Sequence, residues 1–144
     1  MFYIGFKTGP RVDDEGWHHA LGGLELGNES DGFAADLSVW SPREYEQQWR
    51  AGIARLATGA ESSALITSYA GASAAFHSMW PMWRVGSDIV FTERLVFAEA
   101  IQGADVADAF YRAVGELRSE SEDGQPIPQW RVSFAEVLAF LTAK

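Results

Sequence analysis

The stretch from Phe33 to Leu56, F-A-A-D-L-S-V-W-S-P-R-E-Y-E-Q-Q-W-R-A-G-I-A-R-L, constrains the fold most because it couples a strand to a helix with a marked start. Phe33, Ala35, Leu37 and Val39 alternate with Ala34, Asp36, Ser38 and Trp40, the period of two that gives a strand one core-facing side. Ser41 then stands at an N-cap and Pro42 at the first helical position, where its missing N–H leaves nothing unpaired. Glu44, three residues after the cap, completes a capping box. Beyond it Tyr45, Trp49, Ile53 and Leu56 share one helical face, with Gly52 allowing close approach. A face of two large rings and two aliphatic chains has to be covered, so Tyr45 and Trp49 are expected to be buried against a sheet.

The rest of the chain supplies that sheet. Phe2 to Phe6 is β-prone and stops at Thr8-Gly9-Pro10; Arg11 to Gly16 reads as an exposed acidic loop and Trp17 to Leu26 as a second strand weakened by Gly22-Gly23. Gly27 to Gly32 is a polar, turn-rich segment. After a helix end at Thr58-Gly59, strands are expected at Ser63 to Tyr69, Ala75 to Val85 and Ile89 to Phe97, with a hairpin turn at Gly86-Ser87-Asp88. Pro81 has no N–H for a ladder, which places its strand at an edge or at a bulge. Asp105 caps a second helix carrying Val106, Phe110, Ala113, Val114 and Leu117 at helical spacing. Ser119 to Gln129 is a polar loop, Trp130 to Val132 a short strand, and Ser133 with Glu136 a second capping box opening a last helix. Strand runs broken by three separate helices predict a single α+β domain over residues 1–144, a mainly antiparallel sheet with the helices packed on it.

Composition narrows the function classes. The formal net charge is −9, with seven acidic against two basic side chains in residues 1–40 and ten against five in residues 85–144. A nucleic-acid binder or an anionic-membrane binder presents the opposite sign, whereas a basic protein surface is a suitable partner. The chain lacks cysteine, which excludes disulfides and thiolate chemistry, and it has neither a signal-like leader nor the roughly 20 apolar residues that span a bilayer. A cytoplasmic protein that does not engage the membrane is expected.

Catalytic patterns are missing from the sequence. His18 and His19, adjacent in a strand, point to opposite faces, and with His77 they form no H-x-H or H-x-x-x-H spacing, so no metal site is expected. No G-x-S-x-G elbow and no glycine-rich phosphate loop occurs. Of the six tryptophans, Trp40, Trp49, Trp80 and Trp83 fall among apolar neighbours and read as core, while Trp17 and Trp130 are open to either reading.

Several of these pieces together resemble the CdiI immunity proteins of contact-dependent growth inhibition systems. They are D-L-S-V-W-S-P-R-E-Y-E-Q-Q-W (Asp36 to Trp49), S-A-L-I-T-S-Y (Ser63 to Tyr69), W-P-M-W (Trp80 to Trp83), I-V-F-T-E-R-L-V-F (Ile89 to Phe97) and D-G-Q-P-I-P-Q-W (Asp123 to Trp130), in that order. The resemblance implies a small cytoplasmic, non-enzymatic protein without cofactors that binds the C-terminal toxin domain of a cognate CdiA effector, in many systems a nuclease. It also implies an α+β, Whirly-like or β-sandwich-like fold, in which Asp36, Trp40, Tyr45, Trp49, Trp80, Trp83 and Trp130 are fold-defining.

Charge placement, not the family, marks the expected toxin-binding residues: Asp13, Asp14 and Glu15 in one acidic loop and Glu120, Glu122 and Asp123 in another. A 1:1 complex is expected, from a monomer or weak dimer. The alternatives are a small hydrolase or ligand-binding domain using His18, His19 or His77, and a single-stranded nucleic-acid-binding module using the aromatic residues.

Overall fold

In a computed structural model, which describes residues 1–72 and 74–142, the capping box at Ser41 is complete. The Ser41 hydroxyl accepts the Glu44 N–H at 3.2 Å and the Glu44 carboxylate accepts the Ser41 N–H at 3.1 Å. Helix α1 runs Pro42–Ala57, and past its end Gly59 takes φ +111°, a left-handed value that glycine adopts without steric cost. Tyr45, Trp49, Ile53 and Leu56 are all buried, as their spacing predicts.

Two antiparallel sheets receive this helix. The first contains β1 (Phe2–Phe6), β2 (Arg11–Val12), β3 (His18–Leu26) and β4 (Glu29–Asp36), with β3 pairing all three others. The second contains β5 (Ser62–Ser68), β6 (Phe76–Val85), β7 (Asp88–Phe91), β8 (Arg94–Phe97) and β9 (Trp130–Ser133), in the order β5-β6-β7-β9, with β8 also paired to β6. Helices α2 (Val106–Ala113) and α3 (Phe134–Thr142) complete an α+β architecture. The sheets meet through aromatic rings: Phe2 of β1 stacks on Phe91 of β7 with centroids 5.5 Å apart, and Trp49 packs between Phe6 and Phe33 of the first sheet at 5.0 and 5.7 Å.

Strand β5 is the edge of its sheet, and α1 lies along it. Arg84 N–H donates to Glu61 O, so by strand alternation Ala64 and Ile66 turn their backbone groups outward. The helix satisfies them: Gln48 Nε2 donates to Ala64 O (2.9 Å), Gln48 Oε1 accepts Ile66 N–H (2.7 Å), and Trp49 Nε1 donates to Ile66 O (2.7 Å). The helix comes this close because residue 52 is glycine; a Cβ there would lie 2.5 Å from Ala64 O. Residues Ser63 to Thr67 are buried as a result.

Several boundaries differ from the sequence expectation, each for a local reason. The strand expected at Phe33–Trp40 spans Glu29–Asp36 instead, because a two-residue turn at Gly27-Asn28, with Gly27 at φ +69°, suffices to close the hairpin. It stops at Asp36, whose Oδ1 accepts the Ser38 N–H at 2.7 Å and turns the chain. Arg11–Val12, expected in a loop, pairs with His18 and His19. Pro81 lies at neither an edge nor a bulge of β6. The β6 register against β7 and against β8 is the same, Met82↔Phe91 and Met79↔Arg94, so no residue is inserted; the proline interrupts the ladder and divides the expected strand Ile89–Phe97 into β7 and β8. The second helix ends at Ala113, before Val114 and Leu117, and Gly115 at φ +67° carries the chain away. At α3 only half of the expected capping box forms: Ser133 Oγ accepts the Glu136 N–H, while the Glu136 carboxylate pairs with the Met1 amino nitrogen at 2.8 Å.

The close approach at Gly52 reverses an ordinary rule. Alanine in place of a helical glycine normally stabilises by about 0.5–1 kcal/mol, but Gly52→Ala is expected to destabilise by about 1–3 kcal/mol because the added methyl forces α1 off the β5 edge. Urea denaturation checks this, and a raised midpoint would contradict the packing described.

Candidate partner-binding surface

The acidic residues singled out in the sequence lie on two loops that flank different sheets. Asp13-Asp14-Glu15 joins β2 to β3, and Glu120, Glu122 and Asp123 lie in the segment that leads to β9. All six are exposed. They are not equivalent: Asp13 Oδ1 accepts the N–H groups of Glu15 and Trp17, each at 2.9 Å, so it builds its loop and leaves Asp14 and Glu15 as the outward charges. The second loop is held by backbone bonds, Ser121 N–H to Gln125 O and Ile127 N–H to Ser119 O, and Asp123 accepts from the Ser121 hydroxyl. Glu120 and Glu122 stand outside that network.

Beside the first loop is Asp36, buried at the end of β4. Its Oδ2 accepts Trp17 Nε1–H at 2.7 Å, its Oδ1 accepts the N–H and hydroxyl of Ser38, and its backbone oxygen accepts the Tyr45 hydroxyl at 2.6 Å. Burial alone would raise this carboxyl, but the bonds from Ser38 and Trp17 outweigh it and hold it below the usual carboxylate range. Burial pushes the Tyr45 hydroxyl well above the usual tyrosine range, so it remains a neutral donor. Asp36 is thus a joint between β4, the Trp17 turn and α1.

No histidine is hydrogen-bonded to Asp36, although its charge reaches His18 and His77. His19 stacks on Trp17 at 4.4 Å with Nδ1 near Trp17 O, while His77 is buried against Tyr69 and Phe110, accepts the Ala70 N–H at Nδ1, and is shifted down by burial. Among the described residues no group of three or more His, Asp or Glu side chains is placed to hold a metal. A concavity of about 450 Å³ is lined by Tyr69, His77, Phe97, Glu99 and Ile101 together with small residues.

The tryptophans divide as composition suggests, with one exception. Trp49, Trp80 and Trp83 are core. Trp40, read as core, is only half-buried, packing on Tyr45 and Tyr69 at 5.1 and 5.4 Å. Trp17 is exposed at 39%, and Trp130, half-buried, packs on Trp80 and donates to the Glu29 carboxylate.

Sequence reasoning overlooked a different set: Phe76, Leu95 and Phe97 are large apolar side chains left 48, 69 and 61% exposed on one face of β6 and β8. The alternation Glu93, Leu95, Phe97 is legible in the sequence, but high β propensity does not say which face of a strand is covered. Their face also carries Glu93, whose carboxyl is held above the usual range by partial burial and by the nearby Asp31 carboxylate.

These features define an α+β protein of two antiparallel sheets and three helices in which the buried Asp36, Tyr45, Gln48 and His77 side chains are hydrogen-bonded within the fold. The chain belongs to the CdiI N-terminal domain family, whose model matches residues 35–140. No curated protein matches it. Its structure is similar to a chain of a CdiA-CT/CdiI toxin and immunity complex from Enterobacter cloacae, with a TM-score of 0.87 at 20% identity, covering 99% of this chain and 97% of that one. No described helix is long and apolar enough to cross a membrane.

The Asp36 joint has a pH signature. Its folded pKa is depressed, so its contribution is present above the unfolded value of 3.8 and is lost as pH falls through the lower folded value. Asp36→Asn, which sets an N–H₂ group or a single oxygen against donors on both sides, is expected to lower the urea midpoint at pH 7. The gap to wild type should narrow below pH 3.8; a gap independent of pH would assign the loss to packing alone.

Proposed function

We propose that this chain is an immunity protein that binds and neutralises the C-terminal toxin domain of a cognate CdiA effector. The observation that carries the reading is membership of the CdiI N-terminal domain family over residues 35–140; the fold likeness to a protein of a toxin and immunity complex supports it. In this reading the protein acts without catalysis, as one domain in the cytoplasm, and forms a 1:1 complex. A nuclease toxin fits the net charge of −9, because a basic substrate cleft that accepts phosphates also accepts carboxylates.

Inhibition then depends on occupying the toxin, and exposed acid accelerates the encounter. The outward charges are Asp14 and Glu15 on one loop and Glu120 and Glu122 on the other. They contribute little to stability where they stand, so reversing them should leave the fold intact.

On this reading the gene immediately upstream should encode the toxin domain, and the test uses its product. Co-expression with this chain should restore growth and the two should co-purify 1:1; failure of both overturns the reading. Within the complex, Asp14→Lys/Glu15→Lys or Glu120→Lys/Glu122→Lys is expected to slow association at low salt by about 10-fold or more and to flatten its salt dependence. Wild-type rates and slopes for both pairs would make the loops solubility features.

A further inference from the structure

A sheet edge presents unpaired N–H and C=O groups, and the edges of this protein are treated differently. Helix α1 occupies the edge of β5 through Gln48 and Trp49. Strand β4 carries exposed Glu29 and Asp31, charges of the kind that discourage further pairing. Strand β8 pairs with β6 on one side, and on the other carries neither a covering helix nor a pairing strand among the described elements.

Backbone direction in β8 follows from its neighbours. Thr92 N–H donates to Pro81 O and Ala98 N–H to Ala75 O, so even-numbered residues face β6 and the N–H and C=O groups of Leu95 and Phe97 face outward. The vacant position is in line with β9. Strand β9 pairs with β7 up to Phe91↔Trp130, and β7 and β8 share one register along β6, so the line of β9 prolonged past Trp130 would run beside β8. The chain cannot occupy that line: Pro128 and Pro126 have no N–H to give, and the segment folds back through the Glu120↔Pro126 bridge. What remains is a groove of about 370 Å³ lined by Glu93, Arg94 and Leu95 together with Arg118, Ile127 and Trp83. A second concavity shares Arg94, Arg118 and Ile127 with it and is bordered also by Glu116, Glu120 and Glu122.

Charge around the groove points to a cationic visitor. Arg94 is already committed to the carbonyls of Ala113 and Val114, at 3.1 and 2.8 Å. Arg118 adds a second cation to the groove and repels Arg94, so the excess of acid comes from the two concavities together, where Glu93, Glu116, Glu120 and Glu122 face those two arginines; Glu93 is further crowded by Asp31, a repulsion that an incoming Lys or Arg would relieve.

We propose that the outer edge of β8 takes up an extended segment of the cognate toxin, which adds a strand in line with β9, sets apolar side chains against Leu95 and Phe97, and presents Lys or Arg to Glu93, Glu120 and Glu122. Main-chain bonds supply affinity in such strand addition and side-chain pockets supply specificity. The proposal rests on the reading that this chain binds a toxin, and it names where.

Leu95→Pro tests it, because this N–H points away from β6: proline there spares the existing ladder and blocks the new one. With the purified cognate toxin domain, Leu95→Pro is expected to weaken binding at least 100-fold, mostly through faster dissociation. The Leu95 and Phe97 amides of the wild-type chain should become protected from hydrogen exchange in the complex. Should Leu95→Pro unfold, Leu95→Lys, which alters only an exposed side chain, is expected to weaken binding likewise. Wild-type affinity in a folded variant, with the Leu95 and Phe97 amides of the wild-type chain still exchanging in the complex, overturns the β8 assignment and leaves toxin binding standing. A wild-type dimer that Leu95→Pro dissociates assigns the edge to a second copy and also overturns it. Absence of any binding by the wild-type chain overturns the toxin-binding reading, and the edge assignment with it.

Discussion

The fold depends on one side of one helix satisfying the backbone of one strand. Gln48 and Trp49 give and take three hydrogen bonds at Ala64 and Ile66, so β5 is completed by side chains in place of another strand. Each buried backbone group left without its partner would cost about 1–3 kcal/mol. The same indole packs on Phe6 and Phe33, so its truncation would add the loss of a large buried ring, about 3–5 kcal/mol in total. Through Trp49 the two sheets and α1 become one packed unit.

That arrangement explains why α1 has to start where it does. Tyr45 reaches both Asp36 O and the Tyr69 N–H, tying the end of β4 to the end of β5 in the first helical turn. Asp36 in turn fixes Trp17 and the Ser38 turn. A helix beginning one residue later would rotate these groups by about 100° and point Gln48 away from β5. The capping box is therefore a register device as well as a source of stability.

Much of this was legible in the sequence, and the illegible parts share a cause. Capping chemistry at Ser41, the apolar spacing of α1 and the antiparallel strand runs all follow from local rules, and so did the α+β class. Gln48 was missed because a polar residue on a helix is by default solvent-facing; its burial exists only because β5 is an edge. Pro81 was misplaced because a missing N–H normally excludes an interior strand, whereas here the gap falls where β7 passes into β8. The acidic loops were found by charge alone, which cannot separate Asp13, held by its own backbone bonds, from Asp14 and Glu15. The exposed face of Phe76, Leu95 and Phe97 needed the sheet order before its lack of a cover could be seen.

The claim that side chains of α1 complete the β5 edge is tested most directly by amide hydrogen exchange in Gln48→Met, which keeps the shape of the side chain and removes its acceptor. Strand alternation turns the Leu65 N–H toward β6, while the Ile66 N–H depends on Gln48. Ile66 exchange is expected to accelerate at least about 10-fold more than Leu65 exchange, since only Ile66 loses its partner without global unfolding. Equal acceleration of the two amides would show that Gln48 contributes only general packing, and would contradict the account.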